Sequence, residues 1–508
     1  VIDGVGPLSL REAVEAANST TRYDVIRFAP SLSGRTIQLQ LGDLPITRSV
    51  FIQGLGANRL TIDADGDSRI FTIANEGPVG AVRISGLTLT GGEEDDGGAI
   101  SFEMTAAVDS LLVQGCVFTD NEAVDDGLGG AIYTENDAEG PVGGLVVQGC
   151  VFRDNFADEE GGAIWSEAAR IVVQDSTFVG NGVGYFGGAI ATCTCEDSLV
   201  DSFVVQRCVF RDNYSFEDAG AVGSGANRVV LQDCTFADNS ASFFGGAVMI
   251  LGCPNFSILR STFARNTALD EEGIGGGAGG AAWIGFDSVG RIIASTFYGN
   301  VAGAGGGALG VGFGDTNAVT VVNSTISGNT AGDPNAVEPD SEAVGGGILM
   351  LSGRLTLLNV TVTQNRALYA PGGGLACFGG TVNLFNTIVA DNRGAGEDPE
   401  ADLVLDDLFR VNGTVNAQFS LIRAANGAVN GVNVGNIYNV SPNLGPLQNN
   451  GGPTLTHLPL AGSRAINAGN NLLAVGLFVD QRGRPRLAGL RVDIGAVEVG
   501  GLSHRYNP

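Results

Sequence analysis

Five segments of the chain set runs of carboxylates directly before small-residue turns: EEDDGGAI from Glu93, DDGLGGAI from Asp125, DEEGGAI from Asp158, EDAGAV from Glu217 and DEEGIGGG from Asp270. The acids are Glu93, Glu94, Asp95 and Asp96; Asp125 and Asp126; Asp158, Glu159 and Glu160; Glu217 and Asp218; and Asp270, Glu271 and Glu272. Hard oxygen donors on glycine-rich turns suit Ca2+, which takes about six to eight oxygens in irregular geometry. Two unit charges about 5 Å apart repel by roughly 1 kcal/mol in bulk water and about 3 kcal/mol at an effective dielectric near 20, so a cation among these acids has a purpose. The competing reading is a set of solvated turns whose acids splay outward. DADGDS, with Asp63, Asp65 and Asp67 at alternate positions, is a second calcium candidate. It lacks a full EF-hand loop, so an ordinary turn is the preferred reading.

Paired carboxylates are also the raw material of glycoside hydrolysis. Here they sit at repeating turns, where a catalytic pair would break the repeat. The chain has no Lys, and its two histidines, His457 and His504, fall in the terminal segment. Arg153 and Arg211 recur within VFRDN phrases and read as surface ion-pair partners. There is no P-loop, no HExxH and no dinucleotide-binding glycine pattern after a strand. The expectation is therefore a protein that is not an enzyme, with a polysaccharide lyase or glycoside hydrolase as the alternative.

The elements that position the acids are repeats. The phrases GCVFTDN, GCVFRDN, STFVGN, RCVFRDN, DCTFADN, STFARN and STFYGN end on Asn121, Asn155, Asn181, Asn213, Asn239, Asn266 and Asn300. The pattern fades into STISGN, VTVTQN and TIVADN, ending on Asn329, Asn365 and Asn392. The recurrence is about every 30 residues. A GGAI-like phrase follows each Asn, and alternating bursts such as LVVQGCVF precede it, which reads as short strands. A unit with two or three such strands cannot bury its own inner face, but stacked on copies of itself it can. The expected fold is all-β, a right-handed parallel β-helix, with the Phe residues in an interior column and the Asn residues in a ladder at a turn.

Two loops between Asn and GGA carry aromatics instead of acids: Tyr185 and Phe186, and Phe243 and Phe244. They interrupt any continuous metal column and suggest apolar contact patches. Cys116, Cys150, Cys208 and Cys234 share the slot before the Phe. Adjacent coils would bring Cys116 over Cys150 and Cys208 over Cys234, for disulfides or for a stack of small buried thiols. Cys193, Cys195 and Cys253 offer a further bridge in an oxidising compartment.

The ends differ from the repeats. SLREAVEAANST places Leu10, Ala13, Val14 and Ala17 on one helix face after a Ser9 cap, a short helix able to cover the first coil. The expected organisation is an N-terminal cap over 1–34, a β-helix over 35–425 and an irregular C-terminal cap over 426–508. The paired FxxN and GGAI phrases resemble the repeat of polymorphic outer-membrane proteins. SLREAV resembles the CSLREA motif of exported β-helices, with Leu8 in place of the Cys. NNGGPTLTHLPLAGSRAINAG with DQRGRPR and DIGAVE resembles the choice-of-anchor Q domain. The resemblance implies an exported or cell-surface β-helix and implies no reaction.

Composition narrows the partners. All 27 cations are Arg against 55 acids, for a formal charge of −28. Such a chain is repelled by nucleic acid and anionic membranes, and no apolar run is long enough to span a bilayer. The start at Val1 is consistent with a processed, exported form. Three functions remain: a structural surface solenoid that assembles with copies of itself, stabilised by calcium at acidic turns; an adhesin or glycan-binding module; and the polysaccharide-active enzyme.

Overall fold

The computed structural model describes residues 8–74, 78–138, 140–193, 199–269, 277–335, 343–395 and 404–500. The chain divides into two compact units, residues 1–230 and 231–508. Each is a parallel β-helix, and its strands lie in four sheets where the sequence suggests two or three. The coil beginning at Gly144 shows the plan. Gly144–Gln148 lies in the first sheet, Val151–Arg153 in the second, the two-residue Phe156–Ala157 in the third and Ile164–Ser166 in the fourth.

In the first unit, alternation sets which side chains enter the core. Leu145 and Val147 are fully buried while Val146 and Gln148 face outward. Parallel register repeats this on neighbouring coils, aligning Leu111, Leu145, Ile171 and Phe203. The interior phenylalanines stack at the strand spacing, with ring centroids 4.7 Å apart for Phe118–Phe152 and Phe152–Phe178 and 4.8 Å for Phe178–Phe210. Full burial of each ring contributes roughly 1.5–3 kcal/mol.

The asparagines form the ladder. Asn121 Nδ2 donates to Asn155 Oδ1, Asn155 Nδ2 to Asn181 Oδ1 and Asn181 Nδ2 to Asn213 Oδ1, each at 2.9 Å. Each acceptor oxygen also receives the main-chain N–H of the preceding Asn, and the second amide hydrogen reaches a carbonyl, as in Asn155 Nδ2 to Phe118 O at 3.2 Å. The buried corner is thereby fully hydrogen-bonded.

The helix Leu10–Asn18 buries Leu10, Val14 and Ala17 against the strands Asp24–Arg27 and Leu44–Ile46. Its capping box is complete, with Glu12 N–H donating to Ser9 Oγ at 3.2 Å and Ser9 N–H to Glu12 Oε2 at 2.8 Å. Asn18 ties its end to the first coil through Pro45 O and Thr47 N–H.

The second unit repeats the plan. Phe236, Phe263 and Phe297 stack at 4.8 and 4.5 Å, and Ile326, Val362 and Val389 continue their column in register. Its ladder runs Asn239, Asn266, Asn300, Asn329, Asn365, Asn392 and ends on Asp407, whose Oδ1 accepts from Asn392 Nδ2 at 2.9 Å. The last rung needs no donor to a following coil. Asp407 uses its other oxygen to accept Ala424 N–H at 2.6 Å.

The C-terminal region differs from the expected end cap. Asn433–Val434 and Ile437–Tyr438 still pair as strands of the coil stack. Residues beyond 440 then run back along the outer side of the second sheet. Thr296 Oγ1 donates to Leu455 O, Thr325 Oγ1 to Gln481 Oε1, and Ala496 N–H to Thr361 Oγ1. The strands beneath are buried on both faces, Thr325–Ser327, Thr361–Thr363 and Ile388–Ala390 among them.

Candidate functional site

The acidic turns follow the third sheet. In the first unit, Glu93 and Glu122 are register partners, and Glu122 pairs onward with Phe156, Gly182 and Tyr214. Leu128, Glu160, Phe186 and Asp218 bridge one another at the far side of the turn. The acids do share one edge, and their mutual effect is visible at Glu122. Burial and then the neighbouring Glu93 and Asp158 raise its pKa above the ordinary glutamate value. The turns close on glycine because no Cβ fits: one added at Gly130 would lie 2.3 Å from Gly162 O, and Gly129 also has a φ of 68°.

Among the described residues no three His, Cys, Asp or Glu side chains gather into a set that could hold a metal. Asp96 Oδ1 accepts Leu128 N–H at 2.9 Å. Glu160 Oε2 accepts Trp165 Nε1–H at 3.0 Å, and burial raises the Glu160 pKa. Trp165 in turn stacks on Tyr133 at 4.9 Å. Glu93, Glu94, Asp95, Asp125 and Asp126 are exposed, while Asp158, Glu159, Glu217 and Asp218 are half-exposed. Asp125 and Asp126 both take left-handed backbone, with φ of 54° and 66°. Asp270, Glu271 and Glu272 lie outside the described residues. Asp63 Oδ1 accepts Asp65 N–H at 2.9 Å, and Asp65 has a φ of 59°, a side-chain-closed turn that ends at Asp67.

An arginine from the preceding coil reaches the first acidic turn. Arg69 Nε donates to Asp96 O at 3.0 Å and Gly97 O at 3.1 Å, and Nη2 donates to Asp96 O at 2.5 Å. Burial lowers its pKa, and the charges of Glu94, Asp43, Asp96 and Asp95 hold it up. Arg69 precedes the acids by about one coil, a separation at which stacked residues meet.

The aromatic loops divide their side chains. In the first unit Phe186 is buried against the fourth sheet, where a Cβ on Gly223 would strike its ring at 2.2 Å, while Tyr185 is 52% exposed. Phe216, 55% exposed and edge-on to Tyr214, extends the same outward surface. In the second unit Phe244 packs on Trp283 at 4.6 Å and on Phe313 at 5.4 Å, with Phe243 turned outward. Phe313 lies 5.7 Å from Phe286, and both are exposed on left-handed backbone with φ of 55° and 54°. A bulky residue in that region is strained and persists only where its surroundings fix it.

The cysteines before the Phe are thiols. Cys116, Cys150, Cys208, Cys234 and Cys253 are buried and not disulfide-bonded, as is Cys377. Cys116 N–H instead donates to Cys150 Sγ at 3.5 Å, so the shared slot holds small apolar filler. Cys193 is disulfide-bonded, and Cys195 lies outside the described residues.

The C-terminal layer holds a buried ion network that sequence reading left unassigned. Arg482 donates twice to Asp480 Oδ2, at 3.0 and 2.8 Å, and to Glu498 O at 2.7 Å. Arg486 donates to Asp493 O at 2.7 Å and lies 3.4 Å from Glu498. DQRGRPR and DIGAVE are thus the two halves of one structural cluster. His457 is enclosed too, donating through Nδ1 to Gly445 O at 2.6 Å while Nε2 meets Ser327 Oγ at 2.8 Å.

The fold and its turns define a parallel β-helix whose loops, and not its coils, vary. Residues 200–397 match the family model described as a right-handed beta helix region. Residues 115–135 and 149–167, which include the turns at Asp125 and Asp158, match the Chlamydia polymorphic membrane protein repeat. No curated protein matches the chain. The chain thus folds as a right-handed parallel β-helix, and two of its segments match the polymorphic membrane protein repeat.

Proposed function

We propose that this is a surface-exposed structural solenoid that works by contact and assembles with copies of itself, without catalysis. The observation that carries the reading is the outward display of large apolar side chains from turns of the coils, Tyr185 and Phe216 in the first unit and Phe286 and Phe313 in the second. A contact surface of this kind is rigid before it binds, which limits the entropy lost on association. The repeat match supports placement at the outer surface, since the family it describes is one of membrane proteins. His457 is enclosed between Ser327 and Gly445, and Asp407 ends the ladder, so both are engaged structurally.

Sedimentation velocity on the full chain over a hundredfold concentration range tests this reading. Species growing with concentration support it, and one monomer throughout rejects it. A glycan-binding reading is favoured by one feature, the exposed Phe286–Phe313 pair beside Trp283. Polysaccharide binding abolished by Phe286→Ser with Phe313→Ser, in a chain that stays monomeric, would select that reading instead.

A further inference from the structure

The C-terminal layer carries the opposite surface character to the acidic turns. Its hydrophobic side chains are displayed, with Phe478 84% exposed and Leu490 94% exposed. Hydrogen bonds bring these side chains together in two pairs. Asn471 Nδ2 donates to Leu490 O at 3.1 Å, which places Leu472 beside Leu490, and Arg486 N–H donates to Phe478 O at 3.0 Å, which places Leu487 beside Phe478. Along one side runs a groove of about 680 Å³ between Phe478 and Val479 and the first-sheet residues Phe256, Val289 and Arg291. Exposed contiguous apolar surface of this extent marks an interaction site.

Charge selects the occupant. Every exposed charged residue between 440 and 500 is a cation, namely Arg464, Arg484 and Arg491, and Arg491 is the direct neighbour of Leu490. The acids of this segment, Asp480, Asp493 and Glu498, are buried in its internal network. The third-sheet edge of the first unit is the counterpart, an apolar centre rimmed with acid. Tyr185 N–H donates to Glu159 O and Asp218 N–H to Tyr185 O, so Tyr185 sits between Glu159 and Asp218, with Phe216 and Glu217 alongside. An anionic lipid surface would meet the same arginines, and the vesicle measurement below separates it from a second copy.

We propose that the C-terminal layer of one copy docks onto the Tyr185–Phe216 edge of a second copy. The inference rests on the self-assembly reading and names its two faces. Because the faces differ, the contact is heterologous, and each docked copy leaves one face of each kind open for the next.

The test uses two charge-reversed full chains whose fold is checked by far-UV circular dichroism. One carries Arg484→Glu and Arg491→Glu, the other Glu159→Arg and Glu217→Arg. Each alone should show association weakened at least about tenfold, a loss of roughly 1.4 kcal/mol. Mixed in equal amounts they should assemble again, because the intact faces pair as in the parent and the two reversed faces, one now acidic and the other basic, complement each other as well. Phe478→Ser, which leaves charge untouched, should weaken association as well. Variants that assemble like the parent overturn the assignment of faces and leave self-assembly standing. Monomeric variants that stay monomeric when mixed overturn the pairing. A parent chain that never assembles overturns both this inference and the reading beneath it. Flotation on phosphatidylglycerol vesicles lost on the arginine reversals, with assembly unchanged, assigns the layer to lipid and overturns the proposal.

Discussion

Exchanging Asn and Asp in opposite directions along the ladder separates hydrogen-bond chemistry from shape. Asn300 Oδ1 accepts the N–H and Nδ2–H of Asn266, both at 2.9 Å, while its own Nδ2 donates to Asn329 Oδ1 at 2.8 Å and Phe263 O at 3.2 Å. In Asn300→Asp the first pair survives, but a carboxylate oxygen then faces two acceptor oxygens in a buried corner. Two hydrogen bonds are lost and unsatisfied acceptors remain, at about 1–3 kcal/mol each, so the expected loss is about 3–5 kcal/mol at pH 7. Asp407 is surrounded by donors, from Asn392 on one oxygen and Ala424 on the other. In Asp407→Asn one set of donors meets an amide N–H, for an expected loss of about 1–3 kcal/mol. The assay is urea denaturation followed by Trp283 fluorescence in a Trp165→Phe background, which isolates the second unit because the chain has two tryptophans. Acidification to pH 4 should return part of the Asn300→Asp loss, since a protonated carboxyl can donate to Asn329. An Asn300→Asp chain within about 0.5 kcal/mol of the parent at pH 7 would refute the ladder argument.

Burial lifts Asp407 to about 6 and Glu498 to about 7, above their ordinary 3.8 and 4.5. The folded unit therefore holds protons that the unfolded chain has released. This contribution is full below about pH 4 and is lost as pH rises through 6 and 7, which should make the second unit more resistant to urea at pH 5 than at pH 8. Each group supplies about 1–3 kcal/mol of that difference, and Glu498→Gln should reduce it. Arg69→Gln removes the cation held among Glu94, Asp95 and Asp96 and should lower first-unit stability by about 2–3 kcal/mol, with part returned by 0.5 M salt. A chelator should leave parental melting unchanged, whereas a rise of several degrees on adding Ca2+ would show that these turns need more than Arg69. Thiol titration should find Cys116, Cys150, Cys208, Cys234, Cys253 and Cys377 unreactive in the native chain and reactive after unfolding; rapid native labelling would contradict their burial.

The columns were legible because each coil repeats the same constraint. Phe152 and Asn155 recur with their neighbours at a spacing that only stacking uses, so parallel coils, interior rings and the amide ladder follow from the phrases themselves. The third sheet was hidden by length, since Glu122–Ala123 and Phe156–Ala157 are too short to show a period. Arg69 was hidden because its meaning depends on the coil above it. The return of the C-terminal layer rests on contacts such as Gln481 Nε2 to Thr296 Oγ1, made across 185 residues. A weak sign of it existed. The outward positions that carry Val151 and Arg153, and Val209 and Arg211, in the first unit become Thr325 and Ser327, and Thr361 and Thr363, which a covering layer can bury. Why DQRGRPR and DIGAVE mattered could not be seen without their meeting, because Arg486 and Glu498 gain significance only as a buried pair.

The most direct measurement of the central claim is a cross-link between copies. Phe216→Cys and Phe478→Cys, placed on separate chains labelled with different nitrogen isotopes, are mixed, oxidised and digested for mass spectrometry. The account predicts disulfides joining position 216 of one isotope to position 478 of the other, in a yield that falls when Arg484→Glu is added. Links only between like positions, or none at concentrations where the parent chain assembles, would contradict it.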